Sequence, residues 1–252
     1  MNSTGNPGRV AGLWYLTLTI FGPLRLIYIP SKLFVPGNAA ATAANIAAHQ
    51  LLFRLGIAAD LTCAVILIFL VLALYRLFQG VDRNLAVQVA IFGGVMPAVI
   101  YFVGVVSDAG ALTMVRGADY LSAFDKPQRD ALAMLFLQLR DHQNTAAEIL
   151  WGLWLIPLAI LVYKSRFLPR FLGIWLVIDA LAYLTMSFTG ILLPQYQQKV
   201  FAYSQPALAG ELALTLWLVI KGAKPPDATR PAGGPERESL HRERPGRTKG
   251  ER

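Results

Sequence analysis

Long unbroken apolar runs constrain this chain more than any other feature. Stretches such as "LTCAVILIFLVLALYRLF" and "ILWGLWLIPLAILVY" approach the roughly 20 residues a helix needs to cross a bilayer core. In lipid every backbone N–H and C=O must find its partner internally, and an α-helix does this within its own segment. Only 15% of the 252 residues are charged and 55% are apolar, whereas soluble domains carry about 25% charged residues. The pattern therefore predicts an all-α, polytopic membrane protein.

Six transmembrane helices are predicted, over residues 10–29, 53–78, 85–106, 145–163, 171–193 and 201–220. Residues 1–9 form a cytoplasmic N-terminus, 10–222 the transmembrane domain, and 223–252 a basic cytoplasmic tail. That tail is rich in Pro, Gly and charge and is expected to be disordered. Arg9 ahead of the first run resembles the start of a signal peptide. The run continues past Gly22-Pro23 with no small-x-small cleavage site, so a retained span is expected. Lys and Arg crowd the short connections on one side: Arg9, Arg76, Arg83, Lys164, Arg166, Arg170, Lys221 and Lys224. By the positive-inside rule both termini are cytoplasmic.

The outer segments, 30–52 and 107–144, hold short interfacial helices. The first has a Pro36-Gly37 break, a capping Asn38 and an Ala-rich stretch to about residue 50. Run straight into the second span, it would make a helix of about 60 Å, so a bend is expected near residues 51–56. In the second, Pro127 suits the first turn of a helix that continues into span four. Pro23, Pro97, Pro157 and Pro206 are expected to kink spans. Ala90, Gly94 and Ala98 offer a small-residue face for close packing.

Several chemistries are disfavoured. The net charge of +8 is concentrated towards the tail, with no basic face interleaved with aromatics, which argues against a nucleic-acid partner. A single cysteine, Cys63, allows neither an intrachain disulfide nor a thiolate metal site. The three histidines are His49, His142 and His241, and no metal or cofactor is expected. No HExxH, GxSxG, phosphate-binding loop or GxGxxG occurs.

Ionisable groups inside spans are costly and therefore informative. Arg25 falls near the outer end of span one, Arg54 and Asp60 in the outer part of span two, and Asp108 is expected to cap span three. Arg140, Asp141 and His142 are expected at the outer boundary, where charge costs little, with Glu148 further in. Asp141 and Glu148 are seven residues apart, about 700° of rotation, and so share a helix face with Thr145 and Gly152. An outward-facing polar pocket is predicted from Glu148, Asp141, Asp60, Arg54, Arg25, Thr145 and His142. The plainer reading is that Arg25, Arg54 and Asp60 are interhelical ion pairs that fix the bundle. Asp179 and Glu211 are mid-membrane carboxyls without evident partners.

The stretches "YLTLTIFG", "IYIPSKLFVPGNAAATAANI", "FRLGIAADL", "GADYLSAF" and "AEILWGLWLIPLAILVYKSRFLPRFLG" are similar to bacterial integral membrane proteins grouped as domain of unknown function 4386. The resemblance covers about residues 10–221. It implies a six-span plasma-membrane fold, and it carries no reaction, substrate or catalytic residue. The leading functional expectation is binding or transport of a small molecule or lipid through the outer pocket. An alternative is an intramembrane enzyme acting on lipids or isoprenoids, with Glu148, Asp141 and His142 as acid–base groups or metal ligands. A second alternative is a structural or partner-binding membrane protein with no ligand.

Overall fold

Where each helix starts and stops follows from local chemistry. The computed structural model describes residues 6–225. Helix α1 (Pro7–Pro23) opens on Asn6, whose side chain accepts the N–H of Gly8 at 3.0 Å. Pro23 has no N–H to contribute, and a π-helical turn, Leu24–Tyr28, follows it before the short α2 (Ile29–Leu33). Helix α3 (Ala39–Ala48) is capped by Asn38 and leads to α4 (Gln50–Phe78). Helix α5 (Arg83–Ala90), a second π turn at Ile91–Val95 and α6 (Met96–Arg116) form one continuous rod, with Pro97 just after the π turn. Helix α7 (Lys126–Lys164) begins with a capping box in which Asp125 and Gln128 exchange hydrogen bonds, with Pro127 in its first turn. Helix α8 (Arg170–Leu192) and α9 (Gln197–Ile220), separated by a 3₁₀ turn, are the last helices among the described residues. No strand occurs among the described residues.

Among the described residues, five helical stretches are long and apolar enough to cross a membrane: Pro7–Leu33, Gln50–Phe78, Arg83–Arg116, Lys126–Lys164 and Arg170–Leu192. They fall on the first five expected spans. α9 has the length, 24 residues, but a more polar N-terminal half. The outer surface of the helices is apolar: Leu13, Ile20, Val99, Phe102, Val106, Ile174 and Phe188 are all exposed. Such a continuous exposed apolar surface suits lipid rather than water.

Two expectations are corrected. The break ahead of the second span falls at His49 (φ −121°, ψ 44°) rather than at 51–56. There the helical ladder is interrupted while α4 runs unbroken through Gly56. The third rod does not stop near 106. It continues to Arg116 and ends at Gly117, whose φ of +68° glycine tolerates. Pro157 and Pro206 lie inside α7 and α9, and both helices continue past them, since a missing N–H can be absorbed where neighbouring helices pack. Most of the tail expected to be disordered, residues 226–252, and the first five residues lie outside the described residues.

The long helices form a closed ring in chain order. α1 packs on α4, α4 on α6, α6 on α7, α7 on α8 and α8 on α9, and α9 returns to α1. Glycines make that last seam possible, since a Cβ at Gly12 would come within 2.7 Å of the Val219 nitrogen. The two ends are tied there: Gly8 N–H donates to the Ala223 carbonyl and Ala223 N–H to Asn6 Oδ1, both at 3.0 Å. On the same side, Asp82 caps α5 through Leu85 N–H (3.2 Å) and meets Lys164 Nζ (3.2 Å), joining two turns. Two cores fill the ring. The larger includes Tyr15, Leu70, Leu74, Trp154, Leu158, Leu172 and Leu214. The smaller comprises Ile29, Leu33, Ile46, Phe53, Ala111 and Leu137, beneath α2 and α3.

Candidate functional site: a charge quartet and a carboxyl pair

Immediately beside the smaller core, four charged side chains meet with almost no exposure. Arg25 is 3% exposed, Asp60 1%, Asp108 0% and Arg140 5%. Each lies three, four or seven residues along its helix from a member of that core. They come from four elements: the π turn after α1, then α4, α6 and α7. Arg25 Nε donates to Asp60 Oδ2 at 2.9 Å and its Nη2 to Asp108 Oδ2 at 2.5 Å. Arg140 Nη1 reaches Asp60 Oδ2 at 2.8 Å and also binds Asp108 Oδ2. Two cations and two anions cancel, which is how charge survives in a low-dielectric interior. Glycines border the cluster: a Cβ at Gly56 would come 3.1 Å from Ile29 Cδ1 and one at Gly104 3.1 Å from Gln143 Nε2, with the arginine side chains in ordinary contact range.

The two arginines are also a wall. A cavity of ≈ 220 Å³ is lined by Arg25, Arg140, Gln138, Asp141 and Asn144, with Leu26, Pro30, Phe34, Met134 and Leu137 as its apolar side. The segment from Pro30 to Pro36 forms one side of it. A second cavity of ≈ 460 Å³ is lined by Asp141, Glu148, Met186, Gln197, Gln198 and Phe201. Asp141 borders both. Glu148 Oε2 is buried and has no hydrogen-bond partner among the described residues.

The single pocket expected from the sequence is thus divided. Arg25 and Asp60 come together as anticipated, with Asp60 among the paired groups rather than on the cavity wall. Glu148 and Asp141 belong to the neighbouring cavity. Arg54 is exposed and takes no part in the quartet, since its position on α4 is rotated away from the buried Phe53–Gly56–Asp60 face. His142 is exposed as well. Thr145 is buried, donating to the Asp141 carbonyl (3.1 Å) and accepting from Gln197 Nε2 (3.3 Å). Among the described residues no three of His, Cys, Asp and Glu are grouped to hold a metal. The alternative that Asp141, His142 and Glu148 hold one therefore lacks its geometry.

Two members of the quartet escaped sequence reasoning. Asp108 does not cap its helix, because the helix runs two turns further. Arg140 does not sit at a wet boundary. A signal existed: the buried residues of α7 include Ala133, Leu137, Arg140, Ala147, Trp154, Leu158 and Leu161, spaced by three, four and seven. Arg140 continues an apolar stripe, so it must be buried with it.

Asp179 and Glu211, expected without partners, are in fact neighbours. The backbone N–H of Glu211 donates to Asp179 Oδ2 at 3.1 Å. The Glu211 carboxylate accepts the hydroxyls of Tyr15 and of Tyr183, the latter at 3.0 Å. These groups draw α1, α8 and α9 together.

An all-helical bundle with apolar outer faces, several of its helices long and apolar enough to cross a membrane, marks the chain as a membrane protein. The pattern of the family described as Domain of unknown function (DUF4386) matches residues 10–222, and the chain belongs to that family. No curated protein and no solved structure matches it.

Proposed function

We propose that this is a six-span protein of the bacterial plasma membrane, with both ends cytoplasmic, that binds a small amphiphile or lipid carrying an anionic head in an outward-facing pocket. The carrying observation is the pair of buried arginines on the wall of an otherwise largely apolar cavity. A guanidinium has five N–H donors in a planar fork that suits carboxylate and phosphate. The quartet occupies Arg25 Nε and Nη2 and Arg140 Nη1, leaving further donors on both residues. Leu26, Phe34, Met134 and Leu137 would receive an apolar tail.

Parity supports the sixth crossing. Five crossings would leave the bundle's two ends on opposite faces, whereas Gly8 and Ala223 hydrogen-bond to each other. An even number, with α9 as the sixth, accommodates that tie. The turn at 79–82 and the end of α7 lie on the same side through Asp82 and Lys164. Arg9, Arg76, Arg83 and Lys164 belong to that side, which supports a cytoplasmic assignment.

Native mass spectrometry of the protein in mild detergent tests the ligand. The wild-type chain is expected to carry an acidic amphiphile as an adduct, or to take up added oleate or phosphatidic acid. Asn144→Trp, which fills the cavity without touching the quartet, should remove the adduct at unchanged yield. A wild-type chain that retains and takes up none of these would sink the reading.

A further inference from the structure

Glu211, one of the carboxyl pair, borders a third cavity, of ≈ 340 Å³. Its walls are rich in aromatic rings: Tyr15, Trp151, Trp154, Tyr183 and Phe201. Glu211 is the only ionisable acid or base other than tyrosine on those walls, and among the described residues no Lys, Arg or His lines the cavity. Behind it stands Asp179, fully buried, with Oδ2 on the Glu211 N–H and Oδ1 without any hydrogen-bond partner among the described residues. Gly210 permits this approach, since a Cβ there would lie 3.2 Å from Asp179 Oδ2 and 3.0 Å from Trp175 Cδ1.

A buried carboxylate is costly unless a cation pairs with it. Aromatic faces carry negative potential and attract cations, most strongly where water is excluded. From this juxtaposition we infer that the cavity is a binding site for a hydrophobic ammonium group, with Glu211 as its counter-charge, Asp179 as the residue that positions Glu211, and the rings as its cage. The two tyrosine hydroxyls hold the Glu211 carboxylate in place, one on each oxygen, so the head meets an oriented anion rather than a rotating one. The ammonium group belongs either to a free organic amine or to a lipid headgroup. The site is separate from the anion-binding cavity, shares none of its charged residues, and stands or falls independently of it.

Isothermal titration calorimetry on the full chain in phosphatidylglycerol nanodiscs, with empty nanodiscs as reference, tests this. The ligand is benzyltrimethylammonium, and neopentylbenzene is its uncharged isostere, carbon replacing nitrogen. Saturable one-to-one binding of the cation is expected, at least tenfold tighter than that of the isostere. Glu211→Gln and Asp179→Asn should each weaken it at least tenfold, while Asn144→Trp in the other cavity leaves it unchanged. Equal binding of the isostere, no saturable heat with the wild type, or full affinity in Glu211→Gln would each overturn the proposal. The comparison of cation with isostere uses the wild type alone, so it decides the matter even where a variant fails to fold. Repeating the titration in phosphatidylcholine nanodiscs separates the sources. Tenfold weaker apparent binding there assigns the site to a lipid headgroup, and unchanged binding assigns it to a free amine.

Discussion

The quartet and the carboxyl pair are two solutions to the same difficulty, polar charge among packed helices. In the quartet every charge faces an opposite one, and the cluster ties the π turn after α1 to α4, α6 and α7. In the pair two acids are held only by tyrosine hydroxyls and a backbone N–H, between α1, α8 and α9. A balanced cluster is something a bundle can use as a fastener. An unbalanced one contributes nothing to holding helices that a neutral hydrogen-bonding group could not, so its acidity points to a ligand. The difference predicts opposite responses to neutralisation.

Removing one quartet anion should have the largest effect. Asp108→Ala leaves both arginines with a single shared partner, and breaking a buried pair this way costs about 3–5 kcal/mol. Thermal unfolding in detergent, followed by circular dichroism, measures it. A loss under about 1 kcal/mol would break the contrast. Combining Arg140→Leu with Asp108→Leu keeps one balanced pair, Arg25 with Asp60, and should recover part of that loss.

Next comes Gly210→Ala, whose added methyl must displace Trp175 or Asp179. Overpacking of this kind costs about 1–3 kcal/mol, and the same melts would detect it. Glu211→Gln should stay within about 1 kcal/mol of wild type, because it strands no opposite charge. A cost matching that of Asp108→Ala would show the two clusters to be alike.

The smallest effect concerns Asp82, outside the membrane-spanning stretches. The Leu85 N–H and then the Lys164 ammonium hold its carboxyl below the usual range. A depressed carboxyl contributes stability above its unfolded value, near pH 4, and loses it as pH falls through the folded value. Asp82→Asn should therefore lower the melting temperature slightly at neutral pH and flatten its decline on acidification. An acid limb identical to that of wild type would count against the cap.

The helical architecture was legible because run length and caps are local properties. Asn38 and the Asp125–Pro127 start act within four residues of their own position, and each sits where the sequence predicts. Arg140 was harder to place, since hydropathy weighs a residue by its side chain and not by the stripe it continues. Asp179 and Glu211 are 32 residues apart, on different helices whose rotation no single span specifies. Their meeting depends on how α8 and α9 turn towards each other, which is decided by packing at Gly210 and Trp175.

The seam between the first and last helices has a consequence for how the chain could be rewired. Because residues 6–8 and 223 touch, a short linker could join them while the backbone is opened at the 79–82 turn. That turn lies on the same face, so every helix would keep its direction and every neighbour. The order in which the helices are synthesised would change, with α5 leading and α4 last. A permuted chain that reaches the same melting temperature would show that the ring's geometry, rather than the order of insertion, specifies the native bundle.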